Sequence, residues 1–328
     1  MSESGSPMTL AQIESAAALV GRTVAPTPQI AWPLLAERCG CEVWVKHENH
    51  LPTGAFKVRG GLVYLDWLRR EHAEASGVVA ATRGNHGQSV AFAARAQGRT
   101  ATIVIPHGNS REKNRAMRAY GAELIEHGRD FAEALEFAEQ LAGERGLHFV
   151  PSFDEKLVEG VATCALEFLR GAPVMDRVYV PIGLGSGICG MIAVRDALGL
   201  DTEIVGVVAE GAPAYAESFA AGRRVIAQSL PDTIADGVAC RVPNVGALTT
   251  ILGGVSSVIA VPEAGIRSAM GHYFSDCHQI AEGAAALPLA AALLEKEREA
   301  NRGKRIGLVL SGGNVDAELY ASVVSHVT

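Results

Sequence analysis

Short apolar runs alternate with helical patterns along almost the whole chain. Strands are predicted at 41–46, 77–82, 101–106, 123–126, 148–151, 177–182, 203–209, 256–261 and 305–310. Helices are predicted at 9–21, 32–38, 57–68, 86–97, 110–120, 130–145, 156–170, 187–199, 212–221, 262–277, 281–299 and 314–326. Strands that alternate with helices form parallel sheets covered on both faces. Because 328 residues exceed one small core, we predict an α/β protein with two open parallel-sheet domains.

Charge and cysteine content limit the partners and the compartment. A net charge of -7 and the lack of a Lys/Arg run argue against nucleic acid and anionic membranes. No apolar run approaches the ~18 residues of a membrane span, and no signal peptide is indicated. The six scattered cysteines lack metal-ligand spacing and are typical of reduced thiols in a cytoplasmic protein.

One lysine falls in an unusual place, within Thr53-Gly54-Ala55-Phe56-Lys57-Val58-Arg59-Gly60-Gly61. Residues 52–54 are typical of a turn and a helix start, with Thr53 as the expected cap, so Lys57 should lie in the first helical turn. Partial positive charge at the helix start and partial burial both lower the pKa of such a lysine. A lowered pKa suits a lysine that forms a Schiff base. A solvated lysine whose stem covers apolar surface is the alternative.

Further candidate residues follow predicted strands, where ligands gather in parallel sheets. Thr82-Arg83-Gly84-Asn85-His86 precedes a helix, so its amides could hold a carboxylate, and Asn85 is a neutral donor; a plain capped loop is the alternative. Ser311-Gly312-Gly313-Asn314 closes the last strand, and the Ser311 hydroxyl could bond a ring nitrogen. Asp236 and Glu282 are either polar wall residues or helix caps.

A glycine-rich loop, Gly183-Leu184-Gly185-Ser186-Gly187, also lies between a strand and a helix. Its glycines allow a tight backbone with inward N–H groups, and the helix start adds positive potential, so it predicts a phosphate cradle. Gly185, Gly187 and Gly190 loosely match a dinucleotide-binding pattern, and Glu210 lies near the acidic position of that pattern. This loop alone therefore leaves a nicotinamide-dependent oxidoreductase open.

The ordered combination of these motifs closely resembles the threonine/serine dehydratase and serine racemase family, over roughly residues 10–326. That family belongs to the fold type II (tryptophan synthase β-like) pyridoxal-phosphate (PLP) enzymes. The resemblance implies two α/β domains with PLP in the cleft between them. It implies a large domain of residues 1–69 and 153–328 and a small domain of 70–152. It also implies a homodimer.

The resemblance assigns a role to each motif. Lys57 should bind the cofactor covalently, and Phe56 should pack beneath the ring. Asn85 should bond the cofactor's 3′-oxygen, Ser311 should face the pyridine nitrogen, and Glu282 should form a wall near it. The cofactor phosphate should be held by Gly183, Leu184, Gly185, Ser186 and Gly187. The substrate carboxylate should be bound by Thr82, Arg83, Gly84, Asn85 and His86.

The implied activity is that of an ammonia-lyase, or dehydratase, that converts an L-β-hydroxy amino acid to a 2-oxo acid and ammonia. Lys57 would remove the α-proton, and the β-hydroxyl would leave. A serine at the ring nitrogen leaves that nitrogen largely neutral, which is compatible with elimination. L-Threonine and L-serine are the expected substrates; a bulkier or acidic relative, such as phenylserine or 3-hydroxyaspartate, is the alternative.

Two positions depart from the family pattern. Racemases resemble a serine base where this chain has Arg83, and an arginine cannot act as that base. Arg83 either contacts substrate or turns to solvent or a salt bridge. Some members bind a divalent cation through two acidic positions; Glu210 matches the first, but Ala216 occupies the second.

Other activities remain alternatives. A β-replacement enzyme usually resembles Ser-Lys-Asn-Arg at the lysine, which differs from the sequence around Lys57. A serine racemase conflicts with Arg83. A nicotinamide-dependent oxidoreductase leaves Lys57 and Ser311 unexplained. A non-catalytic protein on the same fold would bind cofactor but release no 2-oxo acid.

Overall fold

The computed structural model describes residues 8–297 and 299–325. The strands are β1 (Gln29–Ala31), β2 (Glu42–His47), β3 (Gly77–Ala81), β4 (Thr100–Ile105), β5 (Glu123–Glu126), β6 (His148–Phe149), β7 (Arg177–Pro181), β8 (Glu203–Ala209), β9 (Ser257–Val261) and β10 (Arg305–Leu310). The helices are α1 (Leu10–Val20), α2 (Pro33–Cys39), α3 (Lys57–Glu71), α4 (Asn85–Ala96), α5 (Arg111–Ala119), α6 (Phe131–Arg145), α7 (Glu155–Gly171), α8 (Ser186–Ala197), α9 (Ala214–Ala221), α10 (Val245–Gly254), α11 (Glu263–Cys277), α12 (Gly283–Glu297) and α13 (Ala317–Val324). Short 3₁₀ helices occur at Glu48–His50 and Asp236–Val238.

The strands form two sheets, as predicted. One has six strands in the order β1-β2-β10-β7-β8-β9, and the other has four in the order β5-β4-β3-β6. Every pairing is parallel except that of β1 with β2, in which Gln29 pairs with Lys46. The α/β fold class with two parallel sheets is therefore confirmed, with one antiparallel edge strand added.

Each face of the four-stranded sheet packs against its own helices because side chains alternate along a strand. Val78 and Ala80 belong to the cluster that includes α3 and α4, whereas Val79 and Ala81 pack with Ala134 and its neighbours on α6. The six-stranded sheet is covered on one face by the alanine-rich α12, whose small side chains allow close packing on β7 and β10. The cleft lies between these two packed sheets.

Helix α3 connects the two sheets and approaches its neighbours closely. A Cβ at Gly61 would lie 2.3 Å from Ser89 Oγ of α4, and a Cβ at Gly160 of α7 would lie 2.3 Å from the Arg59 carbonyl oxygen. Glycine at these positions therefore allows α3 to pack against both helices. This packing fixes the start of α3, where Lys57 lies.

The structure also corrects parts of the sequence interpretation. Thr53 does not cap α3: the capping position is Phe56, and Thr53 Oγ1 donates to the Ala55 carbonyl. The sequence pattern missed β1 and α10, both of which are short or rich in Gly and β-branched residues. Position 326 of the last predicted helix lies outside the described residues.

The domain boundaries at 69/70 and 152/153 stay a prediction, although the four-stranded sheet lies wholly within residues 77–149. Among the described residues, no helix is both long enough and apolar enough to cross a membrane.

Candidate active site

Lys57 is the first residue of α3 and points its amine at the glycine-rich loop. Its Nζ donates to Ser186 Oγ at 3.0 Å and lies 5.1 Å from the centre of the Phe56 ring. The residue as a whole is half-buried, but its amine is enclosed, and this burial lowers the pKa of Lys57 to about 8. An appreciable fraction of the amine is therefore neutral near physiological pH.

The glycine-rich loop, residues 183–187, connects β7 to the start of α8. Gly185 has φ +102°, and a Cβ there would lie 2.6 Å from a neighbouring side chain, so the turn requires glycine. Tyr215 donates to the Leu184 carbonyl at 3.0 Å and accepts from Asn244 N at 3.0 Å, which fixes the loop from outside. Within the described residues, the loop amides have no hydrogen-bond acceptor. This loop is thus built to bind an anion.

The second loop, residues 82–86, ends at the first turn of α4. The buried Thr82 Oγ1 accepts from Gly84 N at 2.9 Å and Gly87 N at 3.4 Å. The amides of Arg83, Asn85 and His86 have no acceptor in the part of the chain that the structure describes. Thr82 therefore shapes the loop, and three amides remain available for a carboxylate.

Two other side chains of this loop differ in their surroundings. Arg83 is exposed and forms no ion pair with any described residue. His86 is buried, and burial together with the nearby Lys57 lowers the pKa of His86 to about 3. His86 is therefore neutral, as expected of a structural histidine.

Asn85 is held by hydrogen bonds to residues from the other end of the chain. Its Nδ2 donates to Glu282 Oε1 at 2.7 Å, and its Oδ1 accepts from Asn314 Nδ2 at 2.9 Å. Asn314 also donates to the Thr53 carbonyl at 2.8 Å. These contacts join the lysine segment, the 82–86 loop and the turn after β10. The sequence interpretation assigned no role to Asn314, although it lies in the Ser-Gly-Gly-Asn motif.

Glu282 and Asp236 are wall residues of the cleft that share one lysine. Lys113 of α5 lies 2.5 Å from Asp236 Oδ2 and 3.8 Å from Glu282 Oε2. Burial and the charge of Asp236 raise the pKa of Glu282 to about 7, and Lys113 opposes that rise. No sequence pattern pointed to Lys113, which lies in an otherwise ordinary polar helix.

Ser311 is buried at the end of β10, next to the lysine segment. Its carbonyl accepts from Phe56 N at 3.0 Å. Ser311 borders a mostly apolar cavity together with Phe56 and Gly187. The three predicted cofactor-contacting segments therefore meet at one place in the fold.

Glu210, the candidate cation ligand, is exposed just after β8, and Ala216 lies on α9. Among the described residues, no group of three His, Cys, Asp or Glu side chains is placed to hold a metal ion.

Two parallel α/β sheets with an enclosed lysine at a helix start, facing an anion-binding glycine loop, define a fold type II PLP enzyme. The chain belongs to the pyridoxal-phosphate dependent enzyme family, whose model matches residues 20–312.

Individual relatives agree with this assignment. The chain is 37% identical to an L-threonine ammonia-lyase of Geobacter sulfurreducens over 292 residues, which is 89% of this chain and 72% of the relative. It is 31% identical to the crystal structure of a T.th. threonine deaminase, with a TM-score of 0.87, over 94% of this chain and 99% of that one. It is 29% identical to a PLP-dependent aspartate racemase, with a TM-score of 0.90, over 95% and 97% of the two chains.

The residues present fit PLP. The aldehyde of this cofactor requires an amine, which Lys57 offers, with a pKa that burial lowers to about 8. Its phosphate requires donors, which the amides of residues 183–187 offer at the start of α8. Its ring requires polar groups near both edges, and Ser311 and Asn85 lie on either side of the lysine segment.

Proposed function

We propose that this enzyme is an ammonia-lyase that converts L-threonine or L-serine to a 2-oxo acid and ammonia. The observation that carries the proposal is the enclosed Lys57 amine, 3.0 Å from Ser186 Oγ and opposite a loop of unpaired amides. The similarity to proteins named L-threonine ammonia-lyase and threonine deaminase supports the choice of reaction.

The cofactor contacts are part of the proposal. Lys57 would hold PLP covalently, with Phe56 beneath the ring and Ser311 at the pyridine nitrogen. Asn85 would bond the 3′-oxygen, and Glu282 would form a wall near the ring. The phosphate would be bound by Gly183, Leu184, Gly185, Ser186 and Gly187. When bound, PLP supplies an electron sink for the negative charge that develops at the substrate α-carbon.

The protein residues then divide the work of elimination. The amides of Arg83, Asn85 and His86 bind the substrate carboxylate and orient the α-carbon. Lys57, as a neutral amine, takes the α-proton. The β-carbon–oxygen bond breaks, and the proton and hydroxyl leave together as water. The released enamine takes up water and yields the 2-oxo acid and ammonia.

Racemisation is the less supported activity, despite the similarity to an aspartate racemase. The chain has Arg83 where a racemase of this family would carry a second base, and an arginine cannot take a proton. Arg83 is also exposed. A nicotinamide-dependent reaction is set aside because the chain belongs to a PLP family.

Initial rates of 2-oxo acid formation from a panel of L-β-hydroxy amino acids test the proposal. Threonine or serine should be turned over fastest, and Lys57→Ala should abolish both turnover and the absorbance of covalently bound cofactor. Preference for phenylserine or 3-hydroxyaspartate would keep the reaction and change the substrate. A Lys57→Ala protein that retained dehydratase activity would refute the proposal.

Arg83→Ala tests how the carboxylate is bound. Because backbone amides rather than the exposed guanidinium carry this role, KM for threonine should change less than threefold, roughly 0.6 kcal/mol. A much larger rise in KM would place Arg83 against the substrate.

We also propose a homodimer and a cytoplasmic location, from the family resemblance and from the reduced state expected of the cysteines. Light scattering of the purified holoenzyme measures the first; a monomeric mass at working concentrations would contradict it.

A further inference from the structure

Helix α5 reaches from the four-stranded sheet to the other side of the cleft. Just before this helix, Ser110 Oγ donates to Asp316 Oδ1 at 2.5 Å, and in its first turn Glu112 Oε1 accepts from Ala317 N at 3.0 Å. Lys113 follows and is buried. We call Ser110, Glu112 and Lys113 the α5 seam. It joins the domain that carries the substrate loop to the domain that carries the glycine-rich loop.

Lys113 touches three parts of the active site at once. A Cβ at Gly84 would lie 2.4 Å from Lys113 Cδ, so the lysine stem packs directly on the substrate loop. Its ammonium lies 2.5 Å from Asp236 Oδ2 and 3.8 Å from Glu282 Oε2. Burial alone would lower the pKa of Lys113, but Asp236 and Glu282 more than offset this effect, so the pKa lies above its ordinary value. Lys113 is therefore a cation in the folded enzyme.

Glu282 sits in a niche lined by glycine. A Cβ at Gly312 would lie 2.8 Å from Glu282 Oε1, so no larger residue fits beside this carboxylate. Oε1 accepts from Asn85, whereas Oε2 is buried, has no hydrogen-bond partner among the described residues, and faces Lys113. The charged groups facing Glu282 are Lys113 and Asp236, which act in opposite directions.

We propose that Lys113 is a positioning residue for this reaction: its ammonium keeps Glu282 ionised, and the Glu282 carboxylate in turn orients Asn85 at the start of α4. A charge-assisted hydrogen bond is roughly twice as strong as a neutral one, so Asn85 is held more firmly by a carboxylate than by a carboxylic acid. The kinetic part of the test rests on the proposed function.

The expected pH dependence follows from the signs of these charges. Removing the Lys113 cation raises the pKa of Glu282, and the remaining Asp236 charge acts in the same direction. Ionisation of Glu282 then requires a higher pH. The acid side of the kcat/KM profile should therefore move to higher pH, while the rate at alkaline pH should recover.

The test compares Lys113→Met, which removes the charge, with Lys113→Arg, which keeps it. Glu282→Gln and the Lys113→Met/Glu282→Gln double variant show whether the effect passes through Glu282. Lys156→Met is the matched control, because Lys156 forms a surface ion pair with Glu159 on α7. For each holoenzyme we would measure kcat and KM for threonine from pH 6 to 9, and the absorbance of bound PLP over the same range.

Lys113→Met should move the acid limb by about one pH unit, a loss of about tenfold in kcat/KM at pH 7 that largely disappears at pH 9. Lys113→Arg and Lys156→Met should retain the wild-type profile. Glu282→Gln should remove the acid limb, and adding Lys113→Met to it should change the profile no further. A loss that is equal at every pH, or a shift that persists unchanged in the double variant, would overturn the proposal.

The spectroscopic arm separates this inference from the proposed function. Because Asn85 is assigned to the cofactor's 3′-oxygen, the pH midpoint of the PLP absorbance should shift in Lys113→Met without any substrate present. A wild-type enzyme that released no 2-oxo acid would overturn the proposed function alone. An unshifted absorbance midpoint in a Lys113→Met protein with bound PLP would overturn the role of Lys113 alone. If Lys113→Met does not fold, Glu282→Gln with its acid limb intact would overturn that role.

Discussion

Replacing Arg59 by methionine should lower the free energy of unfolding by about 3–4 kcal/mol at pH 7. Arg59 lies two residues after Lys57 and is fully buried. It donates to Glu48 at 2.6 and 2.9 Å and to Glu167 at 2.7 and 2.8 Å. Lys46 also contacts Glu167, at 2.5 Å, so two buried cations balance two carboxylates. Methionine keeps much of the side-chain volume and removes one cation.

The magnitude follows from which carboxylate loses its partner. Glu167 keeps Lys46, whereas Glu48 is left with the Thr27 hydroxyl at 2.6 Å. Glu48 then either remains an unpaired buried charge or takes up a proton. Protonating an ordinary glutamate at pH 7 costs about 3.7 kcal/mol, because its reference pKa is about 4.3 and each pH unit is about 1.4 kcal/mol. This value lies within the range of about 3–5 kcal/mol known for broken buried pairs.

Urea unfolding of the holoenzyme at pH 7 and pH 5 measures the effect. The proton that Glu48 takes up in the folded variant is released on unfolding, so the loss should shrink by about 1.4 kcal/mol for each pH unit between 7 and 5. Arg59→Met/Glu48→Gln should recover at least half of the loss. Arg129→Met, which breaks an exposed pair with Glu133, should leave stability unchanged. A loss below about 1 kcal/mol at pH 7, or an equal loss at both pH values, would refute the reasoning.

Two pairs of glycine substitutions provide further predictions. Gly54 has φ +66°, and a Cβ there would lie 2.5 Å from Asn314 Oδ1, so Gly54→Ala should reduce kcat/KM by at least tenfold as well as stability. Gly98 has φ +67° but open space, so Gly98→Ala should cost only about 1 kcal/mol and leave kcat/KM unchanged. Equal kinetics in these two variants would contradict a role for the Asn314 contact. Gly160→Ala should lower stability by about 1–3 kcal/mol because of the α3 backbone, whereas Gly143→Ala, in open space on α6, should raise it by up to about 1 kcal/mol; thermal unfolding decides, and a neutral Gly160→Ala would show that α3 can move aside.

Local patterns in the sequence were enough to predict most of the fold. The predicted strand bounds 123–126, 203–209 and 305–310 match β5, β8 and β10. These strands are short runs that are distinct from their neighbours in hydrophobicity, and hydrophobic periodicity is a local property. The start of α3 at Lys57 was likewise predicted, although the proposed cap at Thr53 was wrong. A cap depends on the exact backbone path, which the residue type alone does not give.

The glycine-rich loop was also predictable, because its anion-binding capacity comes from consecutive backbone amides before a helix. The structure adds what fixes that loop: Tyr215 bonds the Leu184 carbonyl from 31 residues away. A side chain that reaches a loop from another helix leaves no periodic signal in the sequence.

Residue order along the chain was sufficient for the alternation of strands and helices, the place of Lys57 at a helix start, and the two loops whose amides face the cleft. All of these depend on residues that are neighbours along the chain. Which polar side chains meet across the cleft became known only from the folded arrangement. Asn85 and Glu282 are 197 positions apart, and Lys113 and Asp236 are 123 apart. Their contacts exist because two independently packed sheets bring the ends of distant strands together, and no local pattern encodes that distance.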